Sequence, residues 1–187
     1  MNIFAETKRL ILREILLSDK EAMFELDTDP EVHLYLGNRP ARKMEDIEEN
    51  IGFIRQQYID NGIGRWALIE KSTGSFIGWG GLKLIKQLTN HHINYYDLGY
   101  RLIKRYWGKG FATEAAIAAL DYGFIQLKQD KIYAIADIRN RASRHTLEKC
   151  GLRFIEQFDF QGEVHDWFEI NAPLAIDQIH SPSLPSI

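Results

Sequence analysis

The sequence predicts a mixed α/β (α+β) fold, a twisted central sheet of about seven strands flanked by about four helices. Three observations carry this. Segments with strand-like alternation stand before, between and after segments with helical spacing. One strand–helix–strand crossover, over residues 95–138, must be right-handed if its two strands run parallel. No internal repeat or linker interrupts the chain, whose 187 residues suit one domain able to bury roughly 70% of the surface its unfolded form exposes. That domain is expected over residues 1–174, with a flexible, proline- and serine-rich tail over 175–187.

The elements follow in order. Residues 7–14, TKRLILRE, alternate apolar and charged side chains with Leu10 and Leu12 on one face, as a half-buried strand does. Ser18 with Glu21 three positions on starts a short helix to about Asp27. Residues 29–40, with prolines near both ends, read as an irregular connection. Ile47, Ile51, Ile54 and Tyr58 recur at three- and four-residue spacing along an amphipathic helix over 44–61, ended by Gly62 and Gly64. Residues 65–70 and 75–84 are strands joined by the turn KSTG, and 92–104 form the third member of this meander. Then come a helix over 112–127, a strand over 131–138, a helix over 140–149 closed by Gly151, and a strand pair over 152–160 and 165–174.

Composition narrows the function. With 23 basic against 26 acidic residues and a net charge of -3, the chain lacks the bulk positive charge of a nucleic-acid binder. Its one cysteine, Cys150, forms no internal disulfide and no zinc site of several thiolates, and no metal is expected. The absence of an apolar run of transmembrane length points to a soluble, cytoplasmic protein with no membrane partner, monomeric or homodimeric.

The chemistry concentrates in RYWGKGFATEAA, residues 105–116, where two glycines flank a lysine just before a helix begins. Glycine lets backbone amides approach a ligand, and a helix start offers unpaired donors and positive partial charge, so the stretch reads as an anion cradle. A P-loop fails because Lys109 is followed by Gly110, with no hydroxyl placed for magnesium. The dinucleotide fingerprint fits Gly108 and Gly110 but meets Thr113 at the third glycine. A tight turn with no ligand is the plain structural alternative. The pattern R/Q-x-x-G-x-G/A is met in full by Arg105, Gly108 and Gly110, with small Ala112 next.

In these residues the sequence resembles the GNAT family of acetyl-CoA-dependent N-acetyltransferases. YRLIKRYWGKGFATEA, residues 100–115, is similar more closely to the branch of ribosomal-protein N-terminal acetyltransferases (RimJ/RimL-like). NRASRHTLEKCGLRF, residues 140–154, resembles the family's later N-x-x-S...LEK-x-G-F signature, and TKRLILRE resembles the branch's opening strand. The similarity covers about residues 7–174.

The resemblance implies a GNAT fold whose fourth and fifth strands splay apart to admit acetyl-CoA as co-substrate. It implies pantetheine pairing with the backbone near Leu98, Tyr100 and Leu102. The diphosphate falls on Arg105, Trp107, Gly108, Lys109, Gly110, Phe111 and Ala112, with Asn140 and Ser143 near the pantetheine arm and the sulfur. The reaction implied is direct attack of a neutral amine on the thioester in a ternary complex, with a backbone N–H near Leu98 donating to the developing oxyanion. Asp97, just before the Gly99–Tyr100 pair, is the candidate base. The chain departs from many members in having Leu147 where they carry an acidic tyrosine, which leaves Ser143 or water to protonate the thiolate.

The acceptor reads as a protein or peptide N-terminal α-amine. Making a neutral α-amine at pH 7 costs about 1 kcal/mol, against about 4.6 for a lysine. A small-molecule amine, a non-catalytic acyl-CoA-binding module and a nucleotide-binding protein stand as alternatives. The acceptor groove is expected from residues 33–43, the first two helices, the loop over 86–94 and the last hairpin, with Tyr35, Trp66, Trp79 and Trp167 as candidate lining.

Overall fold

A computed structural model describes residues 1–37 and 40–173, so the expected domain end at residue 174 and the tail after it lie outside the described residues. Eight strands form one mixed sheet in the order β1-β2-β3-β4-β5-β6-β8-β7. They are β1 (Ile3–Glu6), β2 (Leu10–Glu14), β3 (Trp66–Glu70), β4 (Phe76–Ile85), β5 (Tyr95–Leu102), β6 (Lys131–Asp137), β7 (Arg153–Phe160) and β8 (Glu163–Asn171). The helices are α1 (Lys20–Thr28), α2 (Pro30–His33), α3 (Met44–Asn61), α4 (Phe111–Ile125) and α5 (Arg141–Lys149).

Two elements exceed the sequence reading. β1 is a strand that the short apolar run before Thr7 did not signal; it folds back on β2 as a hairpin. α2 occupies part of the stretch expected to be irregular, with Pro30 in its first turn and the Asp29 carboxylate accepting from the Glu31 amide at 2.9 Å.

The sheet divides two apolar layers. Leu10, Leu12, Trp66, Leu68, Leu82, Leu98 and Leu102 face α4 and α5, where Phe111, Ala115, Ala119 and Leu147 meet them. Ile15, Ala67, Ile69 and Phe76 face α1 to α3 through Met23, Leu26, Ile47, Ile51 and Ile54. Small residues on α4 let it lie close: a side chain on Gly123 would start 2.5 Å from the Ile132 Cδ1. The burial also removes two tryptophans from the expected acceptor groove. Trp66 is stacked on Phe4 at 4.9 Å in the core, and Trp167 sits among Tyr95, Tyr133, His92 and Phe158 with 1% of its surface exposed.

What positions the site is the junction of β5 and β6. β4 and β5 pair without interruption from Gly78↔Leu102 to Ile85↔Tyr95, but β5 meets parallel β6 at one position alone, Asp97↔Tyr133. Beyond it the two strands part, leaving backbone groups on one side of β5 free to pair with something else.

Candidate active site

After β5 the chain makes a 3-10 turn over Lys104–Tyr106, and the Trp107 indole folds back to donate to the Leu102 carbonyl at 2.8 Å. Gly108 and Gly110 then take φ of 70° and 79°, left-handed values that crowd a Cβ. Gly110 caps α4 without a side-chain acceptor. Among the described residues, the amides of residues 108–113 donate to no protein acceptor. The Tyr106 and Trp107 amides are committed to the Ile103 and Lys104 carbonyls at 2.9 and 3.0 Å, so the open run begins at Gly108 rather than at Arg105 as expected. A Cβ built on Gly108 would meet nothing within 4 Å, so the space over the loop is clear. Successive free donors at the positive end of a fifteen-residue helix, with room above them, fit an anionic diphosphate. Of the flanking cations, Arg105 is ion-paired with Glu25, and Lys109 is exposed, its ammonium 5.3 Å from the Tyr106 ring centre.

The mouth between β5 and β6 is bridged on the α4 face by the start of α5. Asn140 caps α5, its Oδ1 accepting the Ser143 amide at 3.0 Å. The Tyr100 hydroxyl donates to the Ser143 carbonyl at 3.0 Å and lies 3.3 Å from the Ser143 Oγ. Burial pushes the Tyr100 phenol up to about 12, so it keeps its proton through the neutral range. Leu147 is 1% exposed and packs in the core.

Asp97 projects to the opposite face. It is 8% exposed, and the guanidinium of Arg65 closes on it, one terminal nitrogen on the Oδ2 and the other on the carbonyls of Gly81 at 2.5 Å and Asp97 at 2.6 Å. The Oδ1 is buried with no partner among the described residues. Burial raises the Asp97 carboxyl above the ordinary carboxylate value, and Arg65 opposes the rise. Lys83, the cross-strand neighbour of Asp97, is lowered by burial and then by Arg65. Arg65 has room only because residue 99 is glycine: a Cβ there would start 2.6 Å from its Nη2.

Farther along this face Arg101 donates to the Asp27 carboxylate at 2.5 Å beneath a cavity of about 340 Å³ that His33 and Asn50 also line. Burial, then Arg101, lowers the His33 imidazole. Trp79 lies between the two arginines, 5.7 Å from Arg65 and 4.9 Å from Arg101.

Sequence reasoning missed Arg65 and the Tyr100 hydroxyl. Arg65 begins β3, and nothing in its neighbourhood along the chain points to a partner 32 residues away. Tyr100 alternates with Asp97 along β5, a clue that it faces the other side.

The chain and its fold have known relatives. The Acetyltransferase (GNAT) domain family matches residues 9–153. An uncharacterized N-acetyltransferase, p20 of Bacillus licheniformis, is 30% identical over 157 residues, 84% of this chain and 82% of that one. The crystal structure of a GNAT-family acetyltransferase from Bacillus anthracis superposes with a TM-score of 0.74 at 25% identity, over 91% of this chain and 98% of its own. A spermidine N-acetyltransferase from Vibrio cholerae, solved with CoA and spermine, shares the fold with a TM-score of 0.70 at 22% identity, over 88% and 96%. The chain therefore belongs to the GNAT family and is an acetyl-CoA-dependent N-acetyltransferase.

Proposed function

We propose that this enzyme acetylates the α-amine of a protein or peptide N-terminus, as a RimJ/RimL-like member of its family. The observation that carries the reading is the state of the buried acids. Asp19, Asp27, Asp97, Asp137 and Asp166 are the acidic residues buried among those described, and each is paired with an arginine: Arg13, Arg101, Arg65, Arg139 and Arg144. Among the described residues, no buried carboxylate is left without an arginine. An acceptor with one weakly basic amine suits such a face better, because an α-amine near pKa 7.7–8.0 is partly neutral at pH 7.

The chain's own groups then divide the work by face. The amides of residues 108–113 hold the diphosphate, the free edge of β5 at Leu98, Tyr100 and Leu102 pairs with the pantetheine, and Asn140 anchors the arm at the start of α5. Bound acetyl-CoA supplies an activated acyl group and a thiolate leaving group. Ser143, held by Tyr100 on the α4 face, gives a proton to the departing sulfur. Asp97, on the α1 to α3 face, takes the amine proton through its unpartnered Oδ1, directly or through water. The gap beyond Asp97↔Tyr133 is where the two faces communicate.

The test is a rate comparison at saturating acetyl-CoA between short peptides with free N-terminal alanine or serine, the same peptides blocked at the N-terminus but carrying lysine, and spermidine. Preference for the free N-terminus is expected. Spermidine turning over faster than every peptide sinks the reading.

A further inference from the structure

The opening segment TKRLILRE contributes a strand to the sheet, yet its Arg9 spends its side chain elsewhere. The Arg9 Nη1 donates to the Lys109 carbonyl at 2.9 Å, inside the glycine loop and 100 residues away in sequence. Its Nε donates to the Glu114 carboxylate at 2.6 Å, and its backbone amide reaches the other oxygen of the same carboxylate at 2.9 Å. The Thr7 hydroxyl adds a third donor at 2.6 Å. The guanidinium lies 4.3 Å from the centre of the Phe111 ring, which fixes its plane. The Nη2 donates to no acceptor among the described residues, and it stands 3.5 Å from where a Cβ on Gly110 would begin.

We propose that Arg9 completes the phosphate site, its Nη2 hydrogen-bonding the diphosphate of acetyl-CoA while its other donors fix the loop around it. The inference rests on the reading of residues 108–113 as the diphosphate cradle. Backbone amides supply partial charges only; Arg9 and Arg105 each pair with one carboxylate, Glu114 and Glu25, but it is Arg9 that stands 3.5 Å from the Cβ position of Gly110. Arg9 is held at the loop by two parts of one carboxylate and by a ring face, so little side-chain entropy remains to be lost when the anion arrives. A guanidinium donor on a phosphate oxygen is a charge-assisted hydrogen bond, and its loss is read as roughly a ten- to hundredfold change in affinity.

The experiment compares two donors, acetyl-CoA and S-acetylpantetheine, which lacks the diphosphate. Arg9→Gln should raise KM for acetyl-CoA about ten- to hundredfold with kcat within a few-fold, and leave KM for S-acetylpantetheine near that of the parent. Arg9→Lys, which keeps the charge but loses the fork, should fall between the two on acetyl-CoA and match the parent on the truncated donor. Lys8→Gln removes a neighbouring exposed cation and should change neither. An unchanged KM for acetyl-CoA in Arg9→Gln overturns the proposal, and so does an equal loss on both donors, which places the damage outside the diphosphate site. A parent enzyme that uses both donors with equal KM refutes the cradle itself, a failure distinct from that of Arg9.

Discussion

Replacing Asp97 with asparagine leaves the Arg65 guanidinium in a pocket where its side chain is 12% exposed, with the carbonyls of Gly81 and Asp97 as its remaining acceptors. Removing one partner of a buried ion pair costs about 3–5 kcal/mol, because the other charge stays desolvated without compensation. For a chain of this length each kcal/mol lowers Tm by about 2–4 °C, so Asp97→Asn should melt roughly 6–20 °C below the parent. The assay must therefore separate stability from chemistry. Thermal unfolding gives the first, and initial rates taken well below the mutant's Tm, with acetyl-CoA affinity measured on the same sample, give the second. If Asp97 accepts the amine proton, the rate falls far more than cofactor affinity does. Arg65→Met combined with Asp97→Asn should recover most of the lost Tm and none of the lost rate. A single variant whose Tm stays within about a degree of the parent refutes the buried pair, and one with full rate removes Asp97 from the proton path.

Gly110→Val must place a β-branched residue at φ of 79°, costing about 1–2 kcal/mol, and its Cβ enters the space beside Arg9; acetyl-CoA affinity should drop sharply while far-UV circular dichroism stays that of the parent. Ser143→Ala should lower kcat by roughly a hundredfold, the low end of general-acid catalysis, and leave KM for acetyl-CoA little changed. Tyr100→Phe should reduce kcat less, with the pH–rate profile unaltered below about pH 10 because the phenol is pushed up to about 12. Burial acts to raise Glu114, but the Thr7 hydroxyl and the Arg9 amide and guanidinium outweigh it and hold the carboxyl below its ordinary value. A depressed carboxyl contributes stability above its unfolded pKa of about 4.3 and loses it as pH falls through the folded value. The stability gap between parent and Glu114→Gln, measured in urea, should therefore shrink between pH 5 and pH 3; a constant gap contradicts the hold of Thr7 and Arg9 on this carboxyl.

The glycine loop and the cap at Asn140 were legible because they depend on local chemistry: which residues tolerate left-handed backbone, and which side chains satisfy a helix start. The amphipathic face of α3 was legible for the same reason, since Ile47, Ile51 and Ile54 are spaced by the helix itself. The ion pairs were not. Arg65 with Asp97, Arg101 with Asp27 and Arg9 with Glu114 join residues 32, 74 and 105 positions apart, and sequence spacing carries no trace of a partner brought in by topology. The sequence left Trp66 and Trp167 open between groove and core for a related reason. An aromatic ring has the same composition in a groove as in a core, and only the stacking of sheet on helix decides which it fills.

The division of labour in the site comes down to the period of one strand. β5 keeps its register with β4 through every residue, whereas β3 and β4 shift between Leu68 and Ile69, where Gly78 takes φ of 149°. An uninterrupted strand sends alternate side chains to opposite faces, so Asp97 and Arg101 reach Arg65 and Asp27 on one side while Leu98, Tyr100 and Leu102 reach α4 and α5 on the other. Inserting one residue between Asp97 and Tyr100 would exchange these sets from that point on, putting Tyr100 in the place from which Arg101 now reaches Asp27. Neither face tolerates the other's residues. Asp27 would lose the guanidinium of Arg101, and Ser143 would lose the hydroxyl that holds it. The order in which β5 alternates is therefore as much a part of the proposed site as the glycine loop that follows it.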